Sequence, residues 1–162
     1  MTGHEAPFVP RRGRVMALAT AAIALVLFGA IAVLLPGPAR GGQWGTLDKA
    51  MIFALGVAIA LLMIRYARIA AWPYEDGLRV RNLILTQDVP WRDIEEVRFG
   101  GGEPWVTLDL AEGESLPVMA IQRADGPAGE REAHRLADLV ARRHHGQRHG
   151  GPARGGSPTG DA

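Results

Sequence analysis

Cysteine is absent from this 162-residue chain. That excludes disulfides, thiolate metal ligands and cysteine nucleophiles together. Lysine is nearly absent as well, with Lys49 standing alone among arginines and histidines. A surplus of positive charge is also missing. The chain sums to +1, and residues 65–143 hold 11 Arg against 14 Asp and Glu, so that region sits at −3. An acidic region is a poor electrostatic match for nucleic acid or for an anionic lipid surface. Nucleic acid is therefore not an expected partner.

Charge is missing altogether from residues 15–35, an apolar run of 21 residues. At about 1.5 Å per residue it reaches roughly 31 Å as a helix, the thickness of a bilayer's hydrocarbon core. Pro36 and Pro38 stop it. A secretory leader has a shorter apolar core and a small-residue cleavage site, and the Leu34-Leu35-Pro36 context lacks one. Residues 47–66 form a second apolar segment, with Asp48 and Lys49 near its start and Arg65 near its end. Its charge-free stretch, residues 50–64, reaches only about 22 Å. It spans if the flanking charges sit at the two interfaces. The alternative is a helix lying in the interface. Trp44, Tyr66 and Trp72 fall where interfacial aromatic anchors belong.

The expected organisation follows from these runs. Residues 1–14 are a disordered basic N-terminus, 15–35 a first transmembrane helix, 36–46 an external loop and 47–66 a second transmembrane helix. Arg11, Arg12, Arg14, Arg65 and Arg68 outweigh Arg40 and Lys49 in the loop, which predicts a multi-pass protein of the cell membrane with both termini cytoplasmic. Gly29, Gly56 and nearby alanines suit close approach of the two helices. A folded domain occupies 68–145, and a Gly- and Pro-rich disordered tail occupies 146–162.

Alternation of apolar and polar residues predicts strands over 69–75, 78–83, 85–90, 95–99, 105–110 and 115–121. Asp76 and Gly77 mark a tight turn between the first two. Pro127 suits the first turn of a helix over 128–144, with Ala133, Leu136, Ala137 and Val140 on one face and Gly146 as its stop. Trp91 and Trp105 are expected as core anchors, and Arg131, Arg135, Arg142 and Arg143 as solvated.

Three stretches together resemble one family. Glu75-Asp76-Gly77-Leu78-Arg79-Val80-Arg81-Asn82 is followed by Val89-Pro90-Trp91-Arg92-Asp93-Ile94 and by Val97-Arg98-Phe99. The chain resembles the bacterial PH domain family of actinobacterial membrane proteins and is similar to the low-molecular-weight protein antigen 6 group. Asp76, Gly77, Pro90, Trp91, Asp93, Ile94 and Trp105 are the structural or motif positions that carry over. The resemblance implies an α+β fold: a two-helix transmembrane hairpin, then a small PH-like β-barrel capped by a C-terminal α-helix. Six strands are countable where a full PH barrel has seven, with the seventh merged into residues 115–123. Phosphoinositide-binding members place bases in the first hairpin loop. Here that loop holds Glu75 and Asp76, which repel a phosphorylated head group.

Catalytic chemistry finds no constellation. His144, His145 and His149 sit at a helix end and read as surface histidines rather than a metal site. Glu95 and Glu96 alternate along a strand and so do not converge with Asp93. Ser115 and Ser157 lack a His and Asp partner. Gly100-Gly101-Gly102 lacks the Gly-Lys-Ser/Thr ending of a phosphate loop. The expectation is a non-catalytic, cofactor-free and metal-free interaction module with a protein partner and without lipid head-group binding. The alternative is a lipid or small-ligand sensor using the open end of the barrel.

Overall fold

The computed structural model describes residues 6–149. Two long helices open the chain: α1 over Arg11–Leu34 and α2 over Thr46–Ala67. Each is long and apolar enough to cross a membrane. They pair along a seam of small residues, with Ala17, Ala21 and Ala24 buried on one and Gly56 and Ala60 on the other. At Gly56 the approach leaves no room for a side chain: a Cβ there would lie 2.5 Å from the Cβ of Phe28. Gly29 meets only ordinary contact, with Phe53 at 3.8 Å. Elsewhere the pair is uncovered. Only 17% and 11% of the residues in their most apolar windows are buried.

The two helices take in more than the expected apolar runs. Arg11, Arg12 and Arg14 lie inside α1 rather than ahead of it. At the other end Leu34 is the last helical residue, because Pro36 cannot continue the ladder. The start of α2 is fixed by Asp48, whose carboxylate accepts the Gly45 N–H at 2.8 Å.

Six strands follow: β1 (Ala70–Pro73), β2 (Gly77–Arg81), β3 (Thr86–Pro90), β4 (Ile94–Arg98), β5 (Trp105–Leu110) and β6 (Ser115–Gln122). They form two antiparallel sheets, ordered β1-β2-β3 and β4-β5-β6. The expected closed barrel is thus two three-stranded sheets, with no ladder joining them among the described residues. β6 is irregular at the seam. Its register against β5 passes from Trp105↔Gln122 to Val106↔Val118, which leaves Met119, Ala120 and Ile121 outside that ladder. The amide side chain of Asn82 fills the gap between the sheets. It donates to the Pro117 carbonyl at 2.7 Å and accepts the Met119 N–H at 3.2 Å.

A last helix, α3, covers Pro127–His149. Gly146 does not stop it, since a single glycine within a helix is costly rather than forbidden. Ala133, Leu136, Leu139 and Val140 pack inward, so Leu139 takes the place expected of Ala137. The core lies between the two sheets and α3 and includes Leu78, Val80, Trp91, Ile94, Val106, Leu108 and Val118.

The N-terminal segment corrects the expectation of disorder. Phe8 is 1% exposed and belongs to this core. Its N–H and C=O both pair with Ala71, at 2.8 and 3.0 Å, so it extends the first sheet beyond β1. A seventh extended piece therefore comes from ahead of α1. Arg135 holds it, with its guanidinium 3.9 Å from the Phe8 ring centre and an N–H donated to the Ala6 carbonyl at 3.1 Å. Residues 150–162, the rest of the expected tail, lie outside the described residues.

Candidate functional site

Most motif residues gather around the turn at Trp91, while Trp105 pairs with Gln122 at the opposite end, beside the close of α2. Pro90 ends β3, and Trp91–Asp93 forms a 3-10 turn. Trp91 is fully buried. Its backbone N–H donates to the Asp76 carbonyl at 3.1 Å, and its indole N–H donates to the Tyr74 carbonyl at 3.0 Å. The C-terminal part of α3 closes over the same turn. His144 Nε2 donates to the Trp91 carbonyl at 2.7 Å, and Arg143 donates to the Glu75 carbonyl at 3.4 Å.

Gly77 is required by space rather than by backbone angle. Among the described residues it has no positive φ, yet a Cβ there would stand 2.3 Å from the Val89 carbonyl oxygen. Asp93 points its side chain outward beside Arg92 at 3.3 Å, while its carbonyl accepts the Ala111 N–H at 2.9 Å. Ile94 is fully buried opposite Leu110. These positions build the fold.

Trp105 is not a core anchor. It is half-buried at the start of β5, on the face opposite Val106 and Leu108, which are both fully buried. Tyr66 and Trp72 do more than mark an interface. The Tyr66 hydroxyl accepts from Gln122 Nε2 at 2.9 Å, joining the end of α2 to β6. Trp72 lies on the outer face of β1 with Arg81 stacked on it at 4.7 Å. Trp44 stays 43% exposed in the loop between α1 and α2.

The first sheet's outer face carries a polar and aromatic groove lined by Trp72, Tyr74, Arg79, Arg81, Thr86 and Asp88. Register places Arg79 directly opposite Asp88. The two form a bidentate pair at 2.7 and 2.9 Å. That hydrogen bonding holds the Asp88 carboxyl below the usual range. Partial burial, with the Asp88 carboxylate adding to it, pushes the Tyr74 phenol up. Arg81 donates to the Arg68 carbonyl at 2.8 Å. Both arginines of the groove are thus engaged within the chain. A second cleft of about 510 Å³ lies between β4 and α3, among Val97, Phe99, Arg123, Glu130 and His134.

Sequence reasoning missed Phe8, Asn82, Gln122 and Asp125. The Asp125 carboxylate reaches back to accept the Arg12 N–H at 3.0 Å, so a residue 113 positions away caps α1. Asp125 shows no sign of this in its own neighbourhood. Phe8 did carry a signal, as an aromatic between Pro7 and Pro10, which favour extended backbone.

A family profile described as "Bacterial PH domain" matches residues 74–138, the stretch from the Tyr74 turn to the middle of α3. Uncharacterized protein Rv1417 of Mycobacterium tuberculosis is 34% identical over 126 residues, covering 78% of this chain and 82% of its own length. Uncharacterized protein Mb1452 of Mycobacterium bovis matches over the same shares. No solved structure matches the chain at a significant level. With the motif turn built around Trp91 inside the matched stretch, and relatives at 34% identity over 78% of the chain, the chain belongs to the bacterial PH domain family.

Proposed function

We propose that the chain is a membrane-anchored, non-catalytic PH-like module that presents the outer face of its first sheet to a protein partner at the cytoplasmic side of the cell membrane. Two apolar helices whose outward surfaces nothing covers support the anchor. Phe8 lies ahead of α1 and β1–β6 lie after α2, yet they share one core. Both ends of the hairpin therefore emerge on one side of the bilayer. Arg11, Arg12, Arg14, Arg65 and Arg68 lie at that end and favour the cytoplasm.

The observation that carries the partner reading is the groove of Trp72, Tyr74 and Arg79. Aromatic side chains and arginines make up the energetic centres of protein interfaces. Its two arginines already have partners within the chain, so it offers no bare cationic site for a phosphorylated head group. The acidic loop of Glu75 and Asp76 lies at the distal end, beside the Trp91 turn, and does not face the bilayer of its own anchor.

Two measurements test this reading. A reporter fused after Ala162 should behave as cytoplasmic and one inserted between Gly41 and Gly42 as exported; a cytoplasmic loop reporter refutes the hairpin. Affinity purification of the full chain in detergent should then recover a protein that is lost with Trp72→Ala and Tyr74→Ala. Recovery of a lipid or small molecule lost instead with Phe99→Ala and His134→Ala would favour a ligand sensor, with the cleft between β4 and α3 in place of the open barrel end expected from the sequence.

A further inference from the structure

The turn between β2 and β3 combines two properties seldom found together. It is the most exposed apolar point of the folded domain: Ile84 is 77% and Leu85 64% exposed. It is also tied to the end of α2. Arg65, in the last turn of that helix, donates from Nε to the Leu83 carbonyl and from Nη2 to the Ile84 carbonyl at 3.0 Å. Arg81, the last residue of β2, donates to the Arg68 carbonyl at 2.8 Å. Within the turn the Asn82 N–H donates to the Leu85 carbonyl at 2.9 Å, which sets its shape.

An exposed Ile-Leu pair on a hairpin tip is unfavourable in water and invites aggregation. Most turns carry Gly, Asn, Asp or Ser instead. Here the tip is held at the level where α2 ends, and a bilayer surface lies at that level if α2 spans. We propose that Ile84 and Leu85 are seated in the boundary between head groups and acyl chains of the same membrane. The tip is then a third membrane contact, which fixes the tilt of the domain over the bilayer. This inference rests on the anchored reading of α1 and α2. The occupant is a lipid surface met by apolar burial. It is not an anionic head-group site, because Arg65 and Arg81 spend donors on backbone carbonyls of the chain itself.

The lack of cysteine makes the test direct. Ile84→Cys, Leu85→Cys, Glu112→Cys and Leu27→Cys each give one labelling site for an environment-sensitive fluorophore. Ile84, Leu85 and Leu27 are exposed side chains, and Glu112 is exposed in the β5–β6 turn at the distal end. Labelled full chains are reconstituted into phosphatidylcholine vesicles, with and without phosphatidylglycerol. Quenching by a shallow lipid-attached nitroxide should be several-fold stronger at 84 and 85 than at 112, with iodide showing the reverse order. The pattern should be the same in both vesicle types. Leu27, about two-thirds of the way along α1, reports on the anchor separately. If Leu27 is lipid-quenched while 84 and 85 behave like 112, the tip inference is overturned and the anchor stands. If Leu27 is quenched only by iodide, the anchor fails and takes the inference with it. Protection at 84 and 85 only with phosphatidylglycerol would overturn the apolar mode in favour of charge-driven docking.

Discussion

Phe8→Ala is the substitution that most directly tests how this protein is assembled. The ring is 1% exposed in the core shared by both sheets and α3. Truncating a buried Phe to Ala costs about 3–5 kcal/mol, from lost transfer free energy and the cavity left behind. The Arg135 guanidinium, 3.9 Å above the ring, loses its stacking partner at the same time. That contact contributes about 0.5–2 kcal/mol. Domains of this size have about 5–15 kcal/mol in total. One kcal/mol moves the melting temperature by roughly 4–8 °C for 60–100 residues. The expected drop is therefore at least about 12 °C. Full-length protein in detergent, followed by near-ultraviolet circular dichroism, reports on the packing around buried Trp91 without requiring the helix pair to unfold. Phe8→Leu should recover most of the loss. A drop of less than about 4 °C for Phe8→Ala would refute the argument. It would mean that the segment ahead of α1 is not part of the domain.

Three further outcomes follow from the same contacts. Asn82→Ala strands the Pro117 carbonyl and the Met119 N–H between the sheets, and should lower domain stability by about 1–3 kcal/mol in the same melting assay. Gly56→Ala forces a methyl group against Phe28 and should weaken the helix pair by about 1–3 kcal/mol; Gly29→Ala should be nearly neutral, and equal effects in detergent denaturation would contradict the close approach. The Arg79–Asp88 pair should give a pH effect on the acid side only. The Asp88 carboxyl is lowered on folding, so its contribution is present above the unfolded value of about 3.9 and disappears as pH falls through the lower folded value. The guanidinium of Arg79 is raised, so its share is lost only at strongly alkaline pH. Asp88→Asn should flatten the acid limb of a melting-temperature profile, and an unchanged limb would show that the exposed pair contributes nothing.

Much of the domain was legible because alternation is a local property. The run Trp105 to Leu110 reads directly as β5, and Leu78 and Val80 fall inward while Arg79 points out. Even the error at Trp105 was visible in the pattern, since alternation sets it with Asp109 against Val106 and Leu108. Its size argued for the core, and its register argued for the surface. Register prevailed, because Val106 and Leu108 already fill the inward positions. What stayed hidden depends on long-range contact. The Asp125–Arg12 cap, the Gln122–Tyr66 bond and the Phe8–Ala71 bridge join residues far apart in the chain, and none leaves a periodic trace. The absence of a closed barrel belongs here too. Three residues of β6 stand outside its ladder with β5, and no composition of that strand announces them.

These same hidden contacts determine how the domain meets the helix pair. α1 begins where Asp125 caps it, and α2 ends where Arg65 holds the β2–β3 turn and Tyr66 holds β6. A flexible linker would let the domain sample every orientation. Here β1 starts three residues after α2 stops, at Ala70 following Ala67, and side chains on both sides of the junction are bonded to the domain. The helix pair and the two sheets are therefore joined by direct hydrogen bonds as well as by the chain. The Trp91 turn and the acidic Glu75–Asp76 loop are held at the far end, while Asn82, Gln122 and Asp125 lie at the near end. In the arrangement proposed above, a partner on the side of the folded domain would meet the outer face of β1–β3 edge-on to the bilayer. For that reason loosening the junction with Arg65→Ala should disturb partner binding more than removing the equally basic Arg92, whose guanidinium reaches only its neighbour Asp93.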